Sequence, residues 1–396
     1  MSLPRFHQVW RSAPCRLATA LVAIVFAAAC TDRDVPTIAA PSQLRATSAN
    51  QDVAPASVAP RVFPGISVLC ALDAAGHASC WGSNYDGQIG DGTTIDRPVP
   101  TPVSGGLTFS TIVSGSFATC GLSTTGVPYC WGGDKERNPW QTDNRLVPRA
   151  VRGNDVYTTI AMGDQDACGI TTLGETKCWG VIWHDAYVPQ IVPGAPAFVS
   201  LTAGSIHWCG VASSKLAYCW GFNGTGQVGN GSTKQQYAPL GPDLYGRRYV
   251  SLSAGAVHTC DTDLGGTAYC WGQNYFGAVG DASNTERDVP TRVVTTLRFT
   301  KVTSGNSHSC GLTSAGAAYC WGNGYEGQVG NGVFGQVNAP VPVQQGTLVF
   351  RDLVAGGYNT CGTTTDDKIY CWGYNSYGQL LDGARVWRPV PVLMPL

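Results

Sequence analysis

The sequence predicts an all-β fold: a seven-bladed β-propeller of four-stranded antiparallel blades, with one disulfide in each blade. A repeated cysteine pair, a four-strand pattern within the repeats and the composition support this prediction. Glycine supplies 50 of the 396 residues, well above its usual share of ~7 %. Charged residues make up 13 % of the chain, about half of the usual ~25 %. This composition leaves little material for solvated helix faces and suits strands and tight turns.

The cysteine pair recurs seven times with the same spacing of ten residues, and its second cysteine is always followed by Trp-Gly. Self-similarity of this kind is the sequence signature of a repeat fold. The pairs are Cys70 and Cys80, Cys120 and Cys130, Cys168 and Cys178, Cys209 and Cys219, Cys260 and Cys270, Cys310 and Cys320, and Cys361 and Cys371.

Four strands can be assigned within a repeat, and the sixth repeat serves as the example. Strand A covers residues 299–305, strand B covers 308–312 and strand C covers 318–321. Gly316, in the short loop between strands B and C, can adopt the positive φ of a hairpin turn. Strand D is the Pro/Val run at 339–343. Its prolines place it at the outer edge of the sheet, because proline is excluded from central strands.

The spacing places the two cysteines of a repeat directly opposite each other across the B–C hairpin. Directly opposed Cβ atoms lie about 4.5–5.5 Å apart, close to the separation that a disulfide needs. A zinc site is the alternative, but such sites need close Cys-x2-Cys pairs that come together in fours. The export signal described below implies an oxidising compartment, which favours disulfides.

The repeats resemble the regulator of chromosome condensation repeat. The resemblance lies in the segments from Ser253 to Cys260, from Tyr269 to Gly277 and from Tyr319 to Gly332, and in the recurring pattern Trp-Gly-x-Asn-x-x-Gly-Gln-x-Gly. It covers roughly residues 58–396 and implies a seven-bladed propeller, in agreement with the number of cysteine pairs. By analogy with the founding member, the resemblance also suggests nucleotide exchange on a small GTPase. That activity depends on an inserted hairpin that we do not find, and the export signal removes the protein from any GTPase.

The N-terminus reads as a signal peptide over residues 1–29, with three arginines, the apolar run from Leu17 to Phe26, and three alanines before Cys30. The apolar run is too short for a comfortable membrane span. Ordinary signal peptidase could cut at the alanines, or lipoprotein signal peptidase could cut before Cys30, whose thiol then becomes acylated. Cys30 is the one cysteine left without a partner once Cys15 is removed with the signal. We therefore predict lipidation at Cys30 and a place in the bacterial cell envelope as an outer-membrane lipoprotein; simple secretion is the alternative.

Residues 30–58 are polar and rich in Pro, Ala, Ser and Thr, which predicts a lipid-anchored flexible linker. The propeller is predicted to occupy residues 59–396. The chain enters the propeller in a strand A and ends in a strand D. We therefore expect no blade that combines strands from the two ends of the chain, unless residues 52–58 add a strand. The expected blades are approximately 59–106, 107–154, 155–195, 196–246, 247–296, 297–347 and 348–396.

The charge balance and the motifs exclude several function classes. The net charge is −1, and removal of the signal leaves 22 basic and 26 acidic residues, or −4. No Lys/Arg cluster is present to neutralise phosphates, so nucleic acid is not an expected partner. No catalytic constellation, metal-ligand cluster or cofactor motif stands out, and neither an enzyme nor a cofactor is expected. His207, His258 and His308 occupy the same place in three blades, too far apart to share an ion, and are predicted to be structural hydrogen bonders.

These features predict a monomeric envelope module that binds a protein or a carbohydrate and contacts the membrane only through its anchor. A secreted enzyme inhibitor is a special case of the same prediction. The A–B and C–D loops are expected on one face of the ring, and repeats two and three have lost the Gly-Gln-x-Gly pattern of their C–D loops. Aromatic and charged residues stand there instead, as is typical of binding hot spots; sequence drift is the alternative. The predicted partner-binding residues are Arg137, Trp140, Asp164, Trp183, His184 and Tyr187.

Overall fold

The computed structural model describes residues 61–133, 145–180, 188–241 and 246–396. They form seven four-stranded sheets. Blades 1 to 4 consist of β1 (Arg61–Pro64), β2 (Val68–Leu72), β3 (Ala78–Gly82) and β4 (Arg97–Pro102); β5 (Phe109–Ser114), β6 (Ala118–Ser123), β7 (Pro128–Gly132) and β8 (Arg149–Ala150); β9 (Tyr157–Met162), β10 (Asp166–Thr171), β11 (Thr176–Gly180) and β12 (Gln190–Ile191); and β13 (Phe198–Ala203), β14 (His207–Ala212), β15 (Ala217–Gly221) and β16 (Gln236–Leu240). Blades 5 to 7 consist of β17 (Tyr249–Ala254), β18 (His258–Asp263), β19 (Ala268–Gly272) and β20 (Arg287–Arg292); β21 (Phe299–Ser304), β22 (His308–Thr313), β23 (Ala318–Gly322) and β24 (Val337–Pro342); and β25 (Phe350–Ala355), β26 (Asn359–Thr364), β27 (Ile369–Gly373) and β28 (Arg388–Leu393).

Each sheet is antiparallel, and its strands A to D are neighbours in chain order. The second and third strands place the paired cysteines directly opposite each other, as in the pair Cys310 and Cys320. All seven disulfides join residues ten apart in sequence, with Cα atoms 4.0–4.1 Å apart. The prediction of a seven-bladed propeller with one disulfide in each blade is confirmed. Among the described residues, we find no helix with the length and apolar character to cross a membrane.

The strands have fixed places around the ring. The A strands of all seven blades surround a central cavity, and the D strands form the outer edges. We call the face that carries the A–B and C–D loops the upper face, and the face that carries the B–C and D–A loops the lower face. The edge position explains the three prolines of β4, because an edge strand has one side on which no backbone donor is needed.

Adjacent blades pack through the tryptophan of the Cys-Trp-Gly motif. All seven of these side chains are at most 2 % exposed. Trp131 of blade 2 lies in one hydrophobic cluster with Leu72 and Ile89 of blade 1, so its side chain fills the space between the two blades. The ring closes in the same way, since Trp81 of blade 1 shares a cluster with Leu380 of blade 7. Among the described residues, no sheet combines strands from the two ends of the chain; residues 52–58 lie outside this part.

Candidate binding surface

The C–D loops of blades 1, 4, 5 and 7 are each held in shape by a buried asparagine. In blade 1, Asn84 Nδ2 donates to the carbonyl oxygens of Thr93 and Ile95 at 2.9 and 3.1 Å. Asn84 Oδ1 accepts a hydrogen bond from the backbone N of Ile89 at 2.9 Å. Because the loop backbone is satisfied internally, the residues beside the asparagine project from a fixed loop. The same network surrounds Asn223, Asn274 and Asn375.

In five blades, the Gly-Gln-x-Gly part of the loop or its equivalent connects the blade to the next one. The carbonyl oxygen of Gln88 in blade 1 accepts hydrogen bonds from Trp131 Nε1 and Thr119 Oγ1 of blade 2, both at 2.9 Å. The motif therefore recurs for a structural reason, since it supplies the acceptor for a buried indole N–H. Four further tryptophans make the equivalent bond at 2.8–2.9 Å: Trp271 to Gln227, Trp321 to Ala278, Trp372 to Gln328 and Trp81 to Gln379.

Blades 3 and 4 depart from this arrangement. Trp179 and Trp220 follow the two blades whose C–D loops lack the motif, and the described residues offer no hydrogen-bond acceptor to the buried Nε1 of either side chain. The hydroxyl that accompanies the tryptophan is also absent, because Ala167 and Trp208 stand where Thr119 stands in blade 2. Blade 1 also lacks this hydroxyl, because Leu69 stands at the position, yet Trp81 keeps its acceptor. Within the described residues, the missing indole acceptor is therefore what distinguishes the interfaces around blade 3.

The described residues include only one of the six predicted binding residues. Asp164 is half-buried in the A–B loop of blade 3, where its Oδ1 accepts a hydrogen bond from Ser116 Oγ at 2.5 Å. Its backbone N donates to the carbonyl oxygen of Ser205 at 2.9 Å. Asp164 therefore connects blades 2, 3 and 4 at the upper rim of the cavity, and its role in binding stays a prediction. Lying outside the described residues are Arg137, Trp140, Trp183, His184 and Tyr187.

The three histidines of blades 4, 5 and 6 are fully buried and make hydrogen bonds to the next blade. His207 Nε2 lies 2.9 Å from Thr259 Oγ1, and the other two make the same contact to Ser309 and Thr360. Thr259 Oγ1 itself donates to the carbonyl oxygen of Gln227. The histidine must then donate, so Nε2 carries the proton. The prediction of a structural role is confirmed, with the partner in the neighbouring blade.

The central cavity has a volume of about 300 Å³, and Asp164 is the only charged residue among the described residues that line it. Most of its lining side chains are aliphatic or small, and the larger or polar ones include Phe63, Asp164 and Asn306. At its upper rim, glycine is needed for close approach between blades. A Cβ on Gly115 would lie 2.0 Å from the carbonyl oxygen of Gly163, and one on Gly255 would lie 2.3 Å from that of Gly305. Within the described part of the chain, no group of three or more His, Cys, Asp and Glu side chains could hold a metal ion.

Sequence analysis missed a set of exposed aromatic side chains on the upper face. Tyr85, Tyr275 and Tyr325 occupy the same C–D loop position in blades 1, 5 and 6 and are 79 %, 61 % and 53 % exposed. Phe276 contacts Tyr325, with ring centroids 6.3 Å apart. In the sequence, these side chains could have been found as aromatic residues between Trp-Gly and Gly-x-x-Gly. They are easily missed, because an aromatic residue at this position resembles part of the repeat. In blade 7, the ring of Tyr374 lies 5.9–6.0 Å from those of Tyr358, Tyr377 and Trp387.

The two faces carry opposite charge when each described charged residue is assigned to the nearer face along its strand. The lower face has 12 basic and 8 acidic residues, net +4, and the upper face has 6 basic and 10 acidic residues, net −4. Part of the upper charge is paired, as in Arg97 and Asp91 at 2.6 Å. Burial opposes ionisation of Asp91, but hydrogen bonds from Thr93 and Arg97 outweigh it and hold the pKa of Asp91 below its usual value. The acidic residues of the upper face are Asp86, Asp91, Asp96, Asp164, Asp166, Asp281, Glu286, Asp288, Glu326 and Asp382.

Comparison with known proteins identifies the repeat. Two sequence profiles of the Regulator of chromosome condensation (RCC1) repeat match the chain, one at residues 76–122, 216–260 and 265–312 and the other at residues 299–328 and 350–379. The chain belongs to the regulator of chromosome condensation repeat family. The profiles leave blade 3 and most of blade 2 unmatched, where the C–D loops have lost the Gly-Gln-x-Gly motif.

Relatives of the regulator of chromosome condensation repeat family agree with the fold. Over 174 residues the chain is 28 % identical to the ultraviolet-B receptor UVR8 of Arabidopsis thaliana, an alignment over 43 % of this chain and 40 % of the receptor's length. Human WBSCR16 superposes with a TM-score of 0.71 at 16 % identity, over 80 % of this chain and 94 % of that one. Prp20p of Saccharomyces cerevisiae, studied for its binding to Gsp1p and histones, gives 0.70 at 17 % identity, over 85 % and 87 %.

Proposed function

We propose that this propeller is an exported protein-binding module and that its upper face carries the binding site. The observation behind the proposal is the set of exposed aromatic side chains on the C–D loops, in particular Tyr85, Tyr275 and Tyr325. Tyrosine is enriched in binding hot spots because it buries a large rigid surface and retains a polar group. The negative charge of the same face suits a partner that presents Lys or Arg, since these cations are attracted both to carboxylates and to aromatic ring faces.

Two further points support a protein partner. Yeast Prp20p, whose fold this chain shares, binds proteins. The C–D loops of blades 2 and 3 start at the upper ends of β7 and β11, so the sequence-based site belongs to the same proposal. An enzyme inhibitor would be one form of such a module, whereas nucleotide exchange on a GTPase does not fit an exported chain. The residues of the sequence-based site are Arg137, Trp140, Asp164, Trp183, His184 and Tyr187.

Export and anchoring are part of the proposal. Seven disulfides in the described residues are typical of an oxidising compartment, and the signal over residues 1–29 leads to Cys30. We expect the wild-type protein to partition into detergent with a diacylglyceryl mass addition. Cys30→Ser should release it as a soluble exported protein. A soluble, unmodified wild type would instead favour simple secretion.

Partner capture from envelope extract tests the binding proposal. We expect Tyr275→Ala/Tyr325→Ala to lower the recovery of the partner about thirtyfold or more, because a buried aromatic anchor typically contributes ~2 kcal/mol or more. Leu173→Ala is the control, since Leu173 is 82 % exposed but lies in a B–C loop of the lower face. Equal recovery with all three proteins would contradict the assignment of the upper face, and selective elution by a free sugar would favour a carbohydrate ligand.

A further inference from the structure

We propose that the lower face of the propeller lies against an anionic lipid surface, opposite to the face that binds the protein partner. The first observation is the charge polarity: 12 basic and 8 acidic residues lie on the lower side of the described propeller. A face with net positive charge is attracted to a surface that carries negative headgroups.

The basic side chains are concentrated at the lower ends of blades 4 and 5. Lys215, Arg248 and Arg298 are exposed, and none of the three forms an ion pair with a described residue. Lys215 and Arg248 are neighbours, because the backbone N of Tyr249 donates to the carbonyl oxygen of Lys215 at 3.0 Å. Asp263 is the acidic residue of the adjoining B–C loop, and its carboxylate accepts hydrogen bonds from two backbone N atoms of that loop.

The same face exposes isolated aliphatic side chains at its outermost points. Leu173 and Leu264, in the B–C loops of blades 3 and 5, are 82 % and 66 % exposed. Val199 and Val250 are also exposed, at the lower ends of β13 and β17. Aliphatic side chains between basic ones suit a membrane interface, where apolar groups enter the headgroup boundary and cations stay at the phosphates. An acidic protein or a nucleic acid would use the basic residues but would leave the exposed leucines without a role.

The course of the chain agrees with this orientation. β1 begins at Arg61 on the lower face, so the polypeptide enters the propeller on the side proposed to face the lipid. If Cys30 is acylated, the predicted linker of residues 30–58 connects the anchor to that face. Only this step rests on the proposed function; the charge and the exposed leucines do not depend on it. The upper face, with its tyrosines, then points away from the membrane.

Vesicle sedimentation of the Cys30→Ser protein tests the proposal without any contribution from an acyl chain. The protein is exported before purification so that its disulfides form. We expect at least tenfold stronger partition onto vesicles of phosphatidylglycerol and phosphatidylethanolamine than onto phosphatidylcholine. Each of Lys215→Gln, Arg248→Gln and Arg298→Gln should weaken the partition about fivefold, and Leu173→Ser/Leu264→Ser should weaken it further. Lys234→Gln, an exposed base in a C–D loop of the upper face, is the matched control and should change the partition less than twofold.

Three results would overturn the proposal: equal partition onto both vesicle types, an effect of Lys234→Gln as large as that of the lower-face variants, or no effect of the leucine substitutions. The last result would leave charge as the only attraction and would favour an acidic macromolecule over a membrane as the occupant of the lower face. The test is separable from partner binding, because Tyr275→Ala/Tyr325→Ala should lower partner capture about thirtyfold or more and leave vesicle partition unchanged.

Discussion

The buried histidines show how a single side chain can connect two blades and make the fold sensitive to pH. Loss of solvation lowers the pKa of His207 and His308 to about 3, with a smaller contribution from His258, and burial lowers the pKa of His258 to about 4. All three rings are therefore neutral at pH 7, and each Nε2 donates to a hydroxyl of the next blade. In the unfolded chain the same rings titrate near pH 6.5.

The free energy of unfolding should decrease as the pH falls from about 6.5 to about 4, because in this range the unfolded state binds protons that the folded state excludes. His308→Asn removes one of these groups and introduces the residue that blade 7 has at Asn359. We expect the variant to lose about 2 kcal/mol less than the wild type between pH 7.5 and pH 5. Denaturant unfolding of the oxidised protein measures the difference, and the values at pH 7.5 give the cost of the substitution itself. Parallel pH profiles would show that His308 does not contribute.

At the scale of the element, the sequence predicts hairpins better than it predicts contacts between blades. The spacing of Cys310 and Cys320 sets the register of β22 and β23 directly, because a cross-strand disulfide is a local constraint. The role of Gln88 could not be predicted in the same way, because its carbonyl oxygen contacts Trp131, which lies 43 residues further along the chain and in another blade. Without that contact, the Gly-Gln-x-Gly motif indicates a turn and nothing more.

The hydrogen bond between the C–D loop and the next tryptophan can be tested by comparing two equivalent blades. Trp271 Nε1 donates to Gln227, whereas the buried Nε1 of Trp220 has no acceptor among the described residues. Substitution by phenylalanine removes similar volume at both sites but breaks a hydrogen bond only at Trp271. We therefore expect Trp271→Phe to lower the free energy of unfolding by about 1 kcal/mol more than Trp220→Phe does. Equal losses in denaturant titrations would mean that the interblade bond contributes no net stability.

At the scale of the whole molecule, strand counting predicts the charge polarity but not which aromatic side chains are exposed. Each charged residue can be assigned to a face once the four strands of its repeat are known. Trp81 and Tyr85 lie only four residues apart, yet the first is fully buried and the second is 79 % exposed. The tryptophan recurs in all seven repeats and the tyrosine recurs at its position in three. This difference in recurrence agrees with a packing role for the tryptophan, but it does not show that the tyrosine is exposed.

Non-covalent contacts close the ring, because no disulfide among the described residues joins one blade to another. Blade 7 is held to blade 1 by packing around Leu380 and by the hydrogen bond from Trp81 Nε1 to the carbonyl oxygen of Gln379. Leu380 is fully buried, so we expect Leu380→Ala to lower the free energy of unfolding by about 2–5 kcal/mol. Leu380→Val is the matched control, since blade 6 has Val329 at this position, and it should cost about 1 kcal/mol.

Opening of the closing interface exposes the flanks of two blades at once, so the ring should still unfold as one unit in calorimetry, with a lower midpoint. Amide hydrogen exchange adds the spatial test, since protection in the central strands of blades 1 and 7 should fall by the same factor as in blades 3 to 5. A separate transition at lower temperature, with exchange increased only in blades 1 and 7, would show instead that the ring opens at this interface without global unfolding.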